Sequence, residues 1–299
     1  MMNHPAMARQ KFLLLDGYNL AYRSFHAMPE LTRSDGFPTG ALHGWIKTLW
    51  KLEDLEAPDI MAIFFDEGGA AKREALLETY KANREDMPAP LRQQVPHMRT
   101  IATLCGCPVL LEHGVEADDL IASAAKRIAD NGDEAVIVSA DKDLGQCLTH
   151  AVTQLLPAPT ANPKLGWRKL TPEKLEAKPG IAPPKEIDYL ALIGDTSDNI
   201  RGLDGVGPKT AVKWLTQYGD LDGIIANADE LMPKRFQALV PARANQLRLN
   251  RELVTLDTGR NIGTIEATKR DVPALIGILQ DLEMKNAASQ AQMRYGLGI

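Results

Sequence analysis

Short apolar runs in the first half of the chain lead directly into aspartates, and this feature constrains the fold most. Phe12–Leu15 ends at Asp16, and Ile60–Phe65 ends at Asp66. Ala135–Val138 passes through Ser139-Ala140 to Asp141 and Asp143, while Val109–Leu111 is a weaker fourth run. Apolar runs this short, without polar alternation, fit strands buried on both faces. Helical periodicity lies between them at Leu42–Leu52, Val95–Leu104 and Leu120–Ile128. The alternation predicts an α/β fold with a mainly parallel central sheet flanked by helices. Sites in such sheets lie beyond the carboxyl ends of the strands, where these aspartates fall.

Pro179–Pro184 is rich in Pro and Gly, and beyond it strand signals fade while helical patterns continue. We therefore divide the chain into an N-terminal extension (1–10), an α/β core (11–178), a helical region (179–256) and a tail (257–299) with no assigned role. Leu175–Lys178 reads as a short helix. Residues 72–99 mix Lys, Arg and Glu with Pro88, Pro90 and Pro96, and read as a connection long enough to be functional or mobile. With 44% apolar and 24% charged residues among 299, the chain is neither disordered nor collagen-like. No run approaches the roughly 18 residues needed to span a bilayer, and the N-terminus lacks an apolar stretch, so the expected compartment is the cytoplasm and no membrane is involved. Cys105, Cys107 and Cys147 are too few for a disulfide framework, and His113 does not complete a zinc spacing, so they read as reduced thiols.

Five acidic clusters follow the strand pattern: Asp16; Asp66; Glu116, Asp118 and Asp119; Asp141 and Asp143; Asp195 and Asp198. Any one has a local explanation, since acids favour helix N-termini and turns. Together at one end of a sheet they would repel, and divalent cations resolve that conflict. An extended segment would turn Lys142 away from Asp141 and Asp143. Asp195 and Asp198, at i and i+3, would share a face if Gly194 led into a helix. Hard oxygen donors without His or Cys suit Mg²⁺ or Mn²⁺, and nine carboxylates exceed the needs of one octahedral ion. Two ions point to phosphodiester hydrolysis. Setting the nine aside changes the formal charge from −5 to +4, a mildly basic remainder suited to nucleic acid.

Gly202–Ala211 comes next. Gly205 and Gly207 allow close backbone approach, Pro208 suits a first helical turn, and Lys209 and Thr210 follow before an expected helix at Thr210–Gln217. The spacing is neither a dinucleotide fingerprint nor a Walker loop. Its place just after the last acidic cluster favours a grip on the DNA backbone.

In order and content these motifs resemble the 5′-nuclease family, which comprises the 5′→3′ exonuclease domain of bacterial DNA polymerase I, phage exonucleases and flap endonucleases. The resemblance runs from about Lys11 to Leu256. It implies a PIN-like nuclease core and a C-terminal helix–three-turn–helix in which Gly205, Gly207, Lys209 and Thr210 contact DNA. It also implies a structure-specific 5′→3′ exonuclease and flap endonuclease with two Mg²⁺ (or Mn²⁺), plus K⁺ at the helix–three-turn–helix. Asp16, Asp66, Glu116, Asp118 and Asp119 would lie nearer one metal and Asp143, Asp195 and Asp198 nearer the other, with Asp141 shared. Tyr80–Arg84 resembles the base of the family's helical arch, so Lys81 and Arg84 would meet the scissile phosphate, with Tyr22 and Arg73 as further DNA contacts. The implied partners are branched, flapped or nicked DNA, RNA primers on DNA, and a separate polymerase and ligase acting with a monomer. Two other readings are weaker. A haloacid-dehalogenase-type phosphatase needs an acid where Tyr18 stands, and a silent DNA-binding paralogue would not need a complete carboxylate set.

Overall fold

A computed structural model describes residues 9–159, 162–177 and 180–296. Apart from its last two residues, the N-terminal extension therefore lies outside the described residues. Strands β1 (Lys11–Asp16), β2 (Ile60–Phe64), β3 (Val109–Leu110), β4 (Glu134–Val138), β5 (Val152–Leu156) and β6 (Arg168–Leu170) form one sheet in the order β3-β2-β1-β4-β5-β6. All neighbours are parallel except β5 and β6. The four expected strands are present, and the sheet is mainly parallel as anticipated; β5 and β6 extend it. From β1 the chain winds first toward β2 and β3, then returns to β1's other edge as β4. The topological switch point, where sites form in such folds, is thus between β1 and β4.

Helices α1 (Gly17–Ala27), α2 (Gly40–Glu56), α3 (Ala71–Leu76), α4 (Ala89–Leu104), α5 (Ala117–Asp130) and α6 (Pro172–Ala177) accompany the sheet. The period-two geometry of a strand divides each apolar run between two layers. Leu13, Leu15, Ile63, Val136 and Val138 pack with residues of α1, α2 and α4. Phe12, Leu14, Ala62, Phe64, Ala135 and Ile137 pack against α5. Each fully buried Leu or Ile contributes about 1.5–3 kcal/mol, so neither face can be made polar cheaply.

Most of 72–99 is helical, which corrects the reading of one long connection. Pro88 precedes α4 and Pro90 occupies its first turn, where a missing N–H costs nothing, so these prolines start a helix. The helical region comprises α7 (Glu186–Ile193), α8 (Pro208–Tyr218), α9 (Leu221–Ala226), α10 (Arg235–Ala242) and α11 (Ala244–Val254) around a separate apolar core. The tail then returns to the first layer. In α12 (Val272–Asp281) and α13 (Lys285–Tyr295), Leu275, Leu279, Ala288 and Ala291 join the core beneath α2 and α4. Arg270, Arg294 and Tyr295 converge on Glu53 of α2 and fasten the pair there.

Candidate metal centre and nucleic-acid interface

The end of β1 and the start of α1 place the first carboxylate. Asp16 caps α1, accepting the Asn19 N–H at 3.0 Å, and its other oxygen accepts the Ser139 hydroxyl at 2.8 Å. Across the switch point the Asp141 N–H donates to Ser139 Oγ at 3.0 Å, so this buried serine links the strand ends of β1 and β4. Gln154 on β5 donates to the carbonyls of Ser139 and Asp141 at 3.0 and 2.6 Å. Asp66 accepts the Ala117 N–H at 2.8 Å and so ties the end of β2 to the first turn of α5. Burial raises the Asp16 carboxyl to about 7, with Asp66 and Asp141 adding repulsion. Burial also lifts Asp118 well above the carboxylate range, reinforced by Asp141, Asp16 and Asp66. Asp66 and Asp141 are raised by burial as well. Asp16 and Asp118 are thus each within electrostatic reach of Asp66 and Asp141.

A second group adjoins them. One carboxylate oxygen from each of Asp143, Asp195 and Asp198 lies within 4.8 Å of the others. Asp143 Oδ1 is buried with no hydrogen-bond partner among the described residues. Burial raises Asp143 to about 8, with Asp141 and Asp195 next in effect. Three carboxylates offering hard oxygens, one of which also carries a buried unpaired oxygen, fit a divalent cation.

Two local expectations are corrected here. Gly194 does not lead into a helix. Gly194–Asp195 (β7) pairs antiparallel with Ile200–Arg201 (β8), and Asp195 and Asp198 meet because the chain turns back between them. Asp195 Oδ1 holds that turn, accepting the Ser197 N–H at 2.9 Å and hydroxyl at 2.6 Å. Nor does Lys142 face away, because a 3₁₀ turn starting at Asp143 replaces the extended segment. Its ammonium lies 3.2 Å from Asp195. Burial would raise Asp195, but the Ser197 hydroxyl and Lys142 hold it below the usual carboxylate value.

Adjacent residues on a helix diverge by about 100°, so Asp119 points away from Asp118's neighbours. Both Asp119 oxygens are engaged elsewhere: Oδ1 accepts Arg73 Nη2 at 2.9 Å and the Asp257 N–H at 2.8 Å, and Oδ2 accepts Arg73 Nη1 at 2.7 Å. The structure therefore does not bring Asp119 to the cluster as a metal ligand. Arg73, expected to touch DNA, is corrected with it. The residue is 7% exposed, and its remaining donors go to Glu116 at 2.5 Å and to the carbonyls of Leu253 and Thr255 at 2.8 and 3.0 Å. No donor is left for a phosphate.

Lys81 and Arg84 do reach the centre. Lys81 Nζ contacts Glu116 and lies 3.8 Å from Asp198, while Arg84 Nη2 lies 2.7 Å from Asp198. The segment is pinned to the Asp195–Asp198 turn. The Lys81 N–H donates to the Asp198 carbonyl at 3.1 Å, Asn83 donates to the Thr196 carbonyl at 2.7 Å, and Asn199 donates to the Thr79 carbonyl at 2.7 Å. Tyr22 lies on α1, half-buried, with its ring stacked on His26. Sequence reasoning missed Tyr80, a buried phenol whose hydroxyl donates to Asp198 at 3.0 Å. It also missed Ser139 and Gln154; a Ser at the end of an apolar run and a Gln within a strand were the available signals.

Farther out, Gly205 is the left-handed residue of the turn before α8, at φ +79°. Gly207 precedes α8 with extended backbone, and a Cβ there would meet nothing within 4 Å. Only Gly205 needs glycine for its conformation; Gly207 leaves an open approach. Lys209 is exposed, while the Thr210 N–H donates to the Gly207 carbonyl at 3.0 Å.

Residues 11–180 match the family model for the 5′-3′ exonuclease N-terminal resolvase-like domain, and residues 181–275 match that for the 5′-3′ exonuclease C-terminal SAM fold. A 5′-3′ exonuclease of Aquifex aeolicus is 38% identical over 278 residues, which cover 91% of this chain and 92% of that protein. The thermostable DNA polymerase I of Thermus thermophilus is 34% identical over 275 residues, 91% of this chain but 32% of the polymerase. Among solved structures, the bacteriophage T5 flap endonuclease in a pseudo-enzyme–product complex with DNA and metal ions aligns with a TM-score of 0.69 at 22% identity, covering 94% of this chain and 99% of that one.

Proposed function

The chain belongs to the 5′-3′ exonuclease family, and from that premise we propose that it hydrolyses phosphodiester bonds at or near a free 5′ end of flapped, nicked or branched DNA, including RNA primers paired to DNA. The observation that supports this reading most is the unbalanced acidity of the centre. Asp16, Asp66, Asp118, Asp141 and Asp143 are all raised by burial, and among the described residues none of them forms an ion pair as Asp119 does with Arg73; the partly exposed Lys81, Arg84 and Lys142 offset that burial only in part. A purely structural cluster would relieve that repulsion with neutral residues.

Asp16, Asp66, Asp118 and Asp141, with Glu116 beside them, would hold one Mg²⁺ or Mn²⁺, and Asp143, Asp195 and Asp198 would hold a second. Such ions stabilise the charge that develops on a scissile phosphate. Ser139 ties the Asp16 carboxylate to the backbone N–H of Asp141, and Tyr80 orients Asp198. Lys81 and Arg84 would stabilise the negative charge that develops in the transition state, and Gly205–Thr210 would hold the duplex through its backbone, with K⁺ as an expected further ion there. Cleavage leaves a nick or gap for a separate polymerase and ligase, and the protein would act as a monomer. No described helix is long and apolar enough to cross a membrane.

A time course on labelled 5′-flap and nicked duplexes, with Mg²⁺, Mn²⁺ or EDTA, tests the reading. Cleavage should start near the 5′ end and cease in EDTA. Undiminished hydrolysis without divalent metal would overturn it.

A further inference from the structure

Arg235 takes no part in the acidic centre. It opens α10 and is exposed, and its side chain makes no hydrogen bond or ion pair with any of the described residues. The nearby Arg201, in contrast, is paired with Asp204 at 2.8 Å. Arg235 is nonetheless held in place. Its guanidinium lies over the Phe236 ring, 4.7 Å from the centroid. Phe236 meets Trp214 of α8 edge-on, with centroids 5.0 Å apart, and both rings are buried. One face of the guanidinium is thereby covered and oriented by the core that carries α8.

Its outer end reaches the glycine turn. A Cβ at Gly205 would stand 2.8 Å from Arg235 Nη2, so the absence of a side chain there leaves room for the guanidinium. On α8, Lys209 and Lys213 are one turn apart and exposed, while Ala211, Trp214 and Leu215 face inward. Neither lysine pairs with an acid among the described residues, so unpaired cations follow the glycine turn on α8 and reach it from α10. Exposed cations of this kind are available to an incoming anion.

We propose that Arg235 is a third cation of the duplex grip, taking a DNA backbone phosphate with its planar fork while Lys209 and Lys213 meet neighbouring phosphates. The proposal rests on the reading of Gly205–Lys209 as that grip. A guanidinium can donate two parallel hydrogen bonds to phosphate, which an ammonium cannot. Arg235 would therefore set the position of the duplex as well as adding charge, without reading sequence.

Anisotropy titrations of the full chain with labelled duplex in EDTA, over a range of KCl, distinguish the outcomes. Arg235→Ala should weaken duplex binding about 3- to 10-fold and make the slope of log affinity against log salt shallower by about one unit. Arg235→Lys should keep the slope but recover only part of the affinity. Single-strand binding should not change. If Arg235→Ala leaves affinity and slope unchanged while Lys209→Ala lowers both, the proposal is overturned and the grip reading stands. If neither substitution moves the slope, the grip reading fails as well. A lower melting temperature for Arg235→Ala with an unchanged slope also counts against the proposal, since Arg235 would then only cover Phe236.

Discussion

Replacing Arg73 with methionine should destabilise the protein by about 3–5 kcal/mol, because removing one partner of a buried ion pair leaves charge that neither water nor protein compensates. The guanidinium joins three parts of the chain: α3, where it originates; α5, through Glu116 and Asp119; and the end of α11, through the Leu253 and Thr255 carbonyls. Three of its five hydrogen bonds go to carboxylates, each worth about 1.5–3 kcal/mol. Their simple sum exceeds the expected loss, since the orphaned acids recover part of it by taking up protons or water. At about 2–3 °C per kcal/mol for a chain of this size, the midpoint should fall by roughly 6–15 °C. Melts followed by tryptophan fluorescence in EDTA measure it, and added salt should change the difference little because the pair is buried. Arg73→Lys should rescue poorly, since one ammonium cannot reproduce a fork that spans both acids and two carbonyls. As a control, Arg201→Ala removes an exposed pair and should cost less than about 1 kcal/mol. If Arg73→Met melts within about 2 °C of the parent yet binds DNA more weakly, the residue acts on DNA after all and this account of it is wrong.

Asp141→Asn and Asp195→Asn should each lower single-turnover cleavage by about a hundredfold or more while duplex binding in EDTA survives; near-normal rates in both would remove them from the site. Lys81→Ala and Arg84→Ala should slow the chemical step at saturating DNA more than they weaken binding, and a change confined to Kd would make them plain backbone contacts. Glu186 on α7 supplies a pH test. Burial raises its carboxyl to about 7, Lys142 opposes that only in part, and one of its oxygens has no partner among the described residues. A carboxyl raised in the folded state favours folding while protonated, so its stabilising effect is lost as pH rises from about 4.5 through 7. Glu186→Gln should therefore gain up to about 3 kcal/mol over the parent at pH 8 and little at pH 4.5; a difference that does not vary with pH would refute this.

The sheet was legible because burial on two faces writes unbroken apolar runs, and Phe12–Leu15 alternates between the two packed layers just as such a strand must. The aspartates were legible for a related reason, since strand ends fix where a following residue lies. What failed to read was whatever depends on tertiary context. Thr153 and Gln154 make β5 resemble a polar segment, although Gln154 is fully buried and hydrogen-bonded to the loop that carries Asp141. Asp119 and Asp118 are neighbours in sequence, and only the direction of α5 separates their roles. The tail gave no signal because the apolar stripe of α12 and the alanines of α13 are those of any small amphipathic pair; their partner surface, on α2 and α4, is more than about 160 residues away in the chain.

Exposure explains why basic residues of one site can have different roles. The Arg73 side chain is 8% exposed and holds its acids permanently, and breaking that contact costs several kcal/mol. The side chains of Arg84 and Lys142 are 50% and 53% exposed while paired with Asp198 and Asp195. Ion pairs that open to water contribute about 0–1 kcal/mol, so an incoming phosphate or cation can take these partners at small cost. Lys81 is intermediate at 20%, held through its backbone N–H and by Glu116, and is the least free of the three to leave. Asp16, Asp66, Asp118, Asp141 and Asp143 form no ion pair among the described residues, and the nearby Lys81, Arg84 and Lys142 offset the burial of the last four only in part. A buried cluster that keeps its fixed cation to one side and exchangeable cations at the rim can admit a charged substrate without unfolding.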